Sequence, residues 1–152
     1  MRGEIYEING HSFFCFGGAR STERGIATGT EKYDKGKSWW PEEVPSAQEM
    51  YWAKENLAAH GNKVDFVITH DMPAGVNTVR RRRISSVSNF LEEIRNSIEY
   101  FHWFCGHMHW DMEYVGQRVS LLYNRPPMDI EDIPVIDNTT SMFNWWHGKE
   151  RL

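Results

Sequence analysis

Trp103-Phe104-Cys105-Gly106-His107-Met108-His109-Trp110 is the stretch on which the fold turns. A short apolar run, then a glycine, then two histidines one residue apart reads as a buried strand delivering two imidazoles into a loop. Side chains at i and i+2 face one site when the backbone between them is extended, so the H-x-H pair is expected in extended chain. Gly106 lets the chain turn out of the strand. Taken alone, the pair fits two ordinary loop histidines as well as it fits two metal ligands.

Upstream, Asn89 to Ile98 reads as an amphipathic helix with Phe90, Leu91, Ile94 and Ile98 on one side, and Asn89 and Glu92 are the expected cap. Before it, Val64 to Thr69 is an apolar β-type run of the kind buried on both faces. It ends in Thr69-His70-Asp71-Met72-Pro73, at the carboxyl end where open α/β sheets place their ligand sites. A helix from Ala47 to about His60 precedes that strand. Ser46 and Glu49 form its capping box, Met50, Ala53 and Leu57 its apolar stripe, and Gly61 its stop. The chain opens with a hairpin, Glu4 to Ile8 and Ser12 to Phe16 about Asn9-Gly10, and its second strand runs into Gly17-Gly18-Ala19. Downstream of the histidines, Met112 to Val115 and Val119 to Tyr123 are expected to be antiparallel strands about Gly116-Gln117. Residues Gly25 to Lys37 read as a surface loop. From Asn124 the composition predicts an irregular tail packed on the surface, so the division is residues 1–124 and 125–152. Alternating helices and strands place the chain in the α/β class, of the α+β sandwich type.

Composition narrows the functions. The chain has 152 residues, enough for one core, and a net charge of -4, which gives no general footprint for nucleic acid. Arg80 to Arg83 is a local basic run that reads more readily as a solvated face than as a phosphate contact. No apolar stretch reaches the roughly 18 residues of a membrane span and no signal peptide is visible, so a soluble, cytoplasmic protein is expected. Cys15 and Cys105 sit in strand-like runs and are expected to be reduced thiols. The seven tryptophans, two pairs of them as the doublets Trp39-Trp40 and Trp145-Trp146, fit a core margin, a ligand platform or a partner surface equally well.

Taken together, Phe16-Gly17-Gly18-Ala19-Arg20-Ser21, Ile68-Thr69-His70-Asp71-Met72-Pro73 and Gly106-His107-Met108-His109 resemble the carboxyl-terminal half of the calcineurin-like metallophosphoesterases. The likeness is closest to a branch with a GGA-x-S segment followed by an S-W-W-P-E-E stretch, here Ser38 to Glu43, and it runs from Met1 to about Asn124. The resemblance implies an incomplete four-layer αββα fold, lacking the amino-terminal β-α-β units. It implies hydrolysis of a phosphomonoester or phosphodiester by a metal-activated water, with a phosphate ester or a nucleotide as the expected ligand and two divalent ions (Mn, Fe or Zn) in the complete family site. His70 and His107 would be ligands of one metal and His109 of the other, and Gly18, Arg20 and Ser21 would lie near the substrate.

The sequence departs from that family in its carboxylates. The D-x-H, G-D-x-x-D/G and G-N-H-D/E motifs do not occur, and Asp34, Asp65, Asp71 and Asp111 do not stand in those contexts. Without a bridging anion two dications repel each other, so at most one metal is expected in this chain alone. A split, truncated or internally initiated member follows, weakly active or inactive by itself, completed by an amino-terminal partner chain or by a homo-oligomer. The alternative is a catalytically silent binding or regulatory module that reuses the scaffold, and the third is a remnant that folds without a function.

Overall fold

The computed structural model describes residues 1–20, 40–76, 84–126, 129 and 133. Readings that fall on other positions, namely the 25–37 loop, Ser21, Trp39, the four arginines and Trp145-Trp146, lie outside the described residues. Six strands form one mixed sheet in the order β1-β2-β3-β4-β6-β5. They are β1 (Arg2–Ile8), β2 (His11–Phe16), β3 (Lys63–Thr69), β4 (Glu99–Cys105), β5 (Met112–Tyr114) and β6 (Val119–Leu121), with helices α1 (Ala47–Ala59) and α2 (Ser86–Ser97) between β2, β3 and β4. The architecture is mixed α and β, and no helix among the described residues is long and apolar enough to cross a membrane.

The opening hairpin forms as expected, because Asn9 (φ +51°) and Gly10 (φ +81°) both take the left-handed conformation that a two-residue turn between twisted strands requires. Strand β2 then pairs parallel with β3 and β3 parallel with β4, each connection made through a helix. Short β6 pairs parallel with β4, and β5 closes the sheet antiparallel to β6. Four neighbouring strands, β2, β3, β4 and β6, therefore end at the same edge. That edge carries Gly17, His70, Gly106-His107 and Leu122-Tyr123.

Both helices cover one face of the sheet. Phe14 and Phe16 of β2, Val67 of β3, Trp103 and Cys105 of β4, and Val119 and Leu121 of β6 meet Ala53 and Leu57 of α1 and Val87, Phe90, Leu91 and Ile94 of α2 in one core. Each of the large side chains contributes about 1.5–3 kcal/mol on burial. The opposite face carries a smaller cluster, Phe13 and Phe66 with Phe101, Phe104 and Cys15, and Ile133 of the tail packs into it. Strand β3 is not wholly enclosed, since Ile68 on this second face is 44% exposed. The two-sided burial read from its apolar run is corrected to one full face and one partial one.

The caps explain where the helices start. In α1, Ser46 Oγ accepts from the Glu49 N–H at 3.2 Å while Glu49 accepts from the Ser46 N–H at 2.7 Å, the expected capping box. The cap of helix α2 lies four residues earlier than its Asn89–Glu92 signal suggests. Ser85 Oγ accepts from the Ser88 N–H at 3.0 Å and Ser88 Oγ from the Ser85 N–H at 2.8 Å, so two serines make the reciprocal box. Asn89 instead gives its N–H to the Ser85 carbonyl, inside the helix. Glu92 turns outward to pair with Arg95 and to accept from the Gly75 N–H.

Candidate functional site

The shared carboxyl edge of the parallel strands holds the two leading histidines. Strand β3 ends at Thr69, whose hydroxyl donates to the Asp71 carbonyl at 2.6 Å and accepts from the indole N–H of buried Trp103 at 2.9 Å. A tryptophan from β4 thus fixes the turn on which His70 sits. The His70 backbone ties both neighbouring strands, its N–H to the Phe16 carbonyl at 3.3 Å and its carbonyl to the Gly106 N–H at 3.1 Å.

His107 is presented by a strained turn. Its φ is +70°, and the Met108 N–H closes onto the Gly106 carbonyl at 2.9 Å. An i to i+2 hydrogen bond around a residue of positive φ is the rare, strained kind of γ-turn. A non-glycine residue there costs on the order of 1–3 kcal/mol and persists where the surroundings over-determine it, a condition concentrated at functional sites. The turn brings the His107 ring edge-on to His70, centroids 5.0 Å apart and planes at 66°.

His109 does not join them. Its φ is +56°, and its ring stacks on Tyr123, centroids 5.1 Å apart and planes at 22°. The expected extended H-x-H is therefore corrected. Both histidines are in left-handed conformation, so the i, i+2 rule for strands does not apply, and the rings go to different partners.

The neighbouring acids are already engaged. Buried Asp71 accepts from the Met72 N–H at 2.8 Å and from the Ser85 hydroxyl at 3.3 Å, which ties the residue after His70 to the start of α2. Asp111 accepts from the N–H groups of Tyr123 (2.8 Å) and Asn124 (3.2 Å), and these donors hold its carboxyl below the usual range. Asp65 accepts from the Ser12 N–H and hydroxyl, the first of which lowers its pKa most among the favourable partners. Among the described residues no three His, Cys, Asp or Glu side chains are grouped as a metal cage. Two imidazoles side by side fit one cation that has water or outside donors completing its shell; they do not fit a bridged pair.

Gly18 has a packing role. At φ +108° it lies so close to the Pro41–Glu43 turn that a Cβ would stand 2.6 Å from the Glu43 carbonyl oxygen and 2.9 Å from Pro45. The next residue, buried Ala19, donates to that same carbonyl at 3.1 Å. The G-G-A and W-P-E-E segments are thus two sides of one contact. Arg20 is exposed beyond it.

Sequence reasoning missed Tyr123, Asp111 and Ser85 as parts of this edge. Tyr123 carried a signal, since it closes the predicted strand from Val119. No model of a known protein family matches the chain, and neither curated proteins nor solved structures match it.

Proposed function

We propose that this edge is the histidine part of a metal-dependent phosphoesterase site of the calcineurin-like kind, on an incomplete version of that family's fold. The observation that carries the reading is the His70–His107 pair, held at the carboxyl ends of adjacent parallel strands with His107 on a strained turn. His70 and His107 would hold a single divalent ion such as Mn, Fe or Zn. Such an ion, when bound, lowers the pKa of a coordinated water and polarises a phosphoryl oxygen. The chain's own part is to orient the two rings, through Trp103 and Thr69 beneath His70 and through the γ-turn beneath His107. His109 would have to leave Tyr123 to become a ligand. The bridging carboxylate would come from a complementing chain, from a second copy, or from protein outside this sequence.

Asp71 and Asp111, the acids that flank the histidine motifs, are both spent on hydrogen bonds, and this favours the second reading, a binding module without turnover. Both readings share the ion and separate on catalysis. Titration of the purified, metal-stripped chain with Mn(II) or Co(II) is expected to give one ion per chain, with affinity reduced at least tenfold in His70→Ala and in His107→Ala. No binding, or binding indifferent to both substitutions, would overturn the site. With a generic aryl phosphodiester the chain alone is expected to give little or no metal-dependent hydrolysis. Clear turnover abolished by His107→Ala would instead establish a complete enzyme.

A further inference from the structure

The His109–Tyr123 stack keeps His109 out of the single-ion site proposed at His70 and His107, yet its backbone stands next to that of the pair. His109 lies two residues from His107, so their Cα atoms are at most about 7 Å apart. On the other strand, the Leu122 N–H donates to the Cys105 carbonyl at 2.8 Å, and the Leu122 carbonyl oxygen would lie 3.6 Å from a Cβ at Gly106. Tyr123 is the next residue. The backbone that carries the two rings therefore lies at the same corner of the sheet edge as the backbone that carries the histidine pair.

That corner is braced. Asp111, two residues after His109, takes the N–H groups of both Tyr123 and Asn124, and Arg125 faces Asp111 at 3.8 Å while also pairing with Glu113. One carboxylate therefore clamps the segment carrying His109 to the segment carrying Tyr123. The rings lie nearly parallel at 22°, and Tyr123 remains 53% exposed although it is stacked. A hydrophobic ring held in position at the surface is a low-cost platform, because its ordering is complete before anything binds. Planar groups add to such a stack whatever their edge pattern, as nucleobases do on aromatic side chains.

We propose that the His109–Tyr123 pair is a stacking platform for the planar base of a nucleotide whose phosphate lies at His70 and His107. This deepens the proposed function and rests on it for the position of the phosphate. It also assigns His109 a substrate contact in place of a metal ligand.

The test is equilibrium binding of AMP, ribose 5-phosphate and adenosine to the intact chain with Mn(II), and to Tyr123→Ala, Tyr123→Phe and His70→Ala. The expected result is AMP binding about tenfold tighter than ribose 5-phosphate, the size of one base–aromatic stack. Tyr123→Ala is expected to erase that ratio without weakening ribose 5-phosphate, and Tyr123→Phe to keep it. His70→Ala should weaken both phosphates alike and leave the ratio intact. Equal affinities for AMP and ribose 5-phosphate would overturn the platform while leaving the phosphate site standing. Adenosine binding that depends on Tyr123, with no phosphate effect, would keep the platform and overturn the phosphate site. If no probe binds, both fall.

Discussion

His102 and His107 are five residues apart, one within β4 and one just beyond it, and they show opposite ways of keeping a histidine in a protein. His102 is 7% exposed on regular strand backbone, and its Nε2 lies 2.6 Å from Ser120 Oγ. That hydroxyl spends its proton on Glu113, at 2.7 Å, so His102 Nε2 is the donor, and Glu113 is in turn paired with Arg125. The chain of bonds from His102 runs to charge neutralisation at no cost in backbone strain. His107 has the reverse arrangement, a strained backbone and a ring set against a second imidazole. Burial on relaxed strand backbone with satisfied hydrogen bonds marks a structural histidine, whereas a strained backbone that sets one imidazole against another marks a candidate ligand.

The largest expected effect tests the first half of that contrast by pH. Burial, and after it the Arg118 guanidinium, push the His102 imidazole down to about 4 from an ordinary 6.5. The folded protein therefore resists protonation at His102, and the stabilisation is complete above pH 6.5 and lost as pH falls toward 4. Linkage gives a loss of about 2 kcal/mol at pH 5 and about 3 kcal/mol in all. The carboxylates of Glu49, Asp65, Glu92 and Asp111, whose pKa values are lowered, begin to cost stability only below their ordinary range, at more acid pH. Urea unfolding at pH 7.5 and pH 5 is expected to show the loss in the parent and its disappearance in His102→Gln. An equal loss in both would mean that His102 does not control this window.

A smaller effect is expected at Ser85, which is tied to the turn that carries His70, the ring set against His107. Ser85 caps α2 and donates to Asp71, the neighbour of His70, as Ser120 donates to Glu113 beside His102. Ser85→Ala removes one cap and one long hydrogen bond, for a loss of about 1 kcal/mol in unfolding free energy. The same variant is expected to weaken Mn(II) binding severalfold, because the turn carrying His70 loses its tie to α2. Loss of stability with unchanged metal affinity would show that Trp103 and Thr69 hold His70 without help from Ser85.

Local signals in the sequence located most of this framework. Asn9-Gly10 specified the hairpin and Ser46 with Glu49 the start of α1, because each acts through neighbours within three residues. Apolar runs located β3 and β4, and their shared direction brought His70 and His107 to one edge. The Ser85–Ser88 box escaped notice because a serine at the fourth position is a weaker signal than a glutamate. The conformation of His107 and His109 escaped for a deeper reason: spacing predicts a shared face only once the backbone is known to be extended, and these φ values are positive. The partner of His109 is Tyr123, fourteen residues on and across the β5–β6 hairpin, so no local pattern shows it. Gly18 read as a site glycine, and its contact with Glu43 and Pro45 depends on a packing that only the fold reveals.

The second half of the contrast is tested by two substitutions at one position. His107→Ala removes the ring and keeps a Cβ at φ +70°, whereas His107→Gly removes both the ring and the strain. At an ordinary position glycine is the less stable of the two by roughly 0.5–1 kcal/mol, because its unfolded chain has more freedom to lose. At His107 the order is expected to reverse, with His107→Gly more stable than His107→Ala by about 1 kcal/mol in urea unfolding, and both are expected to lack the proposed Mn(II) affinity. Since the ring is absent from both variants, its packing cancels in the comparison and the difference reports the backbone alone. If alanine proves the more stable, the γ-turn holds no strain, and His107 differs from His102 only in what its ring touches.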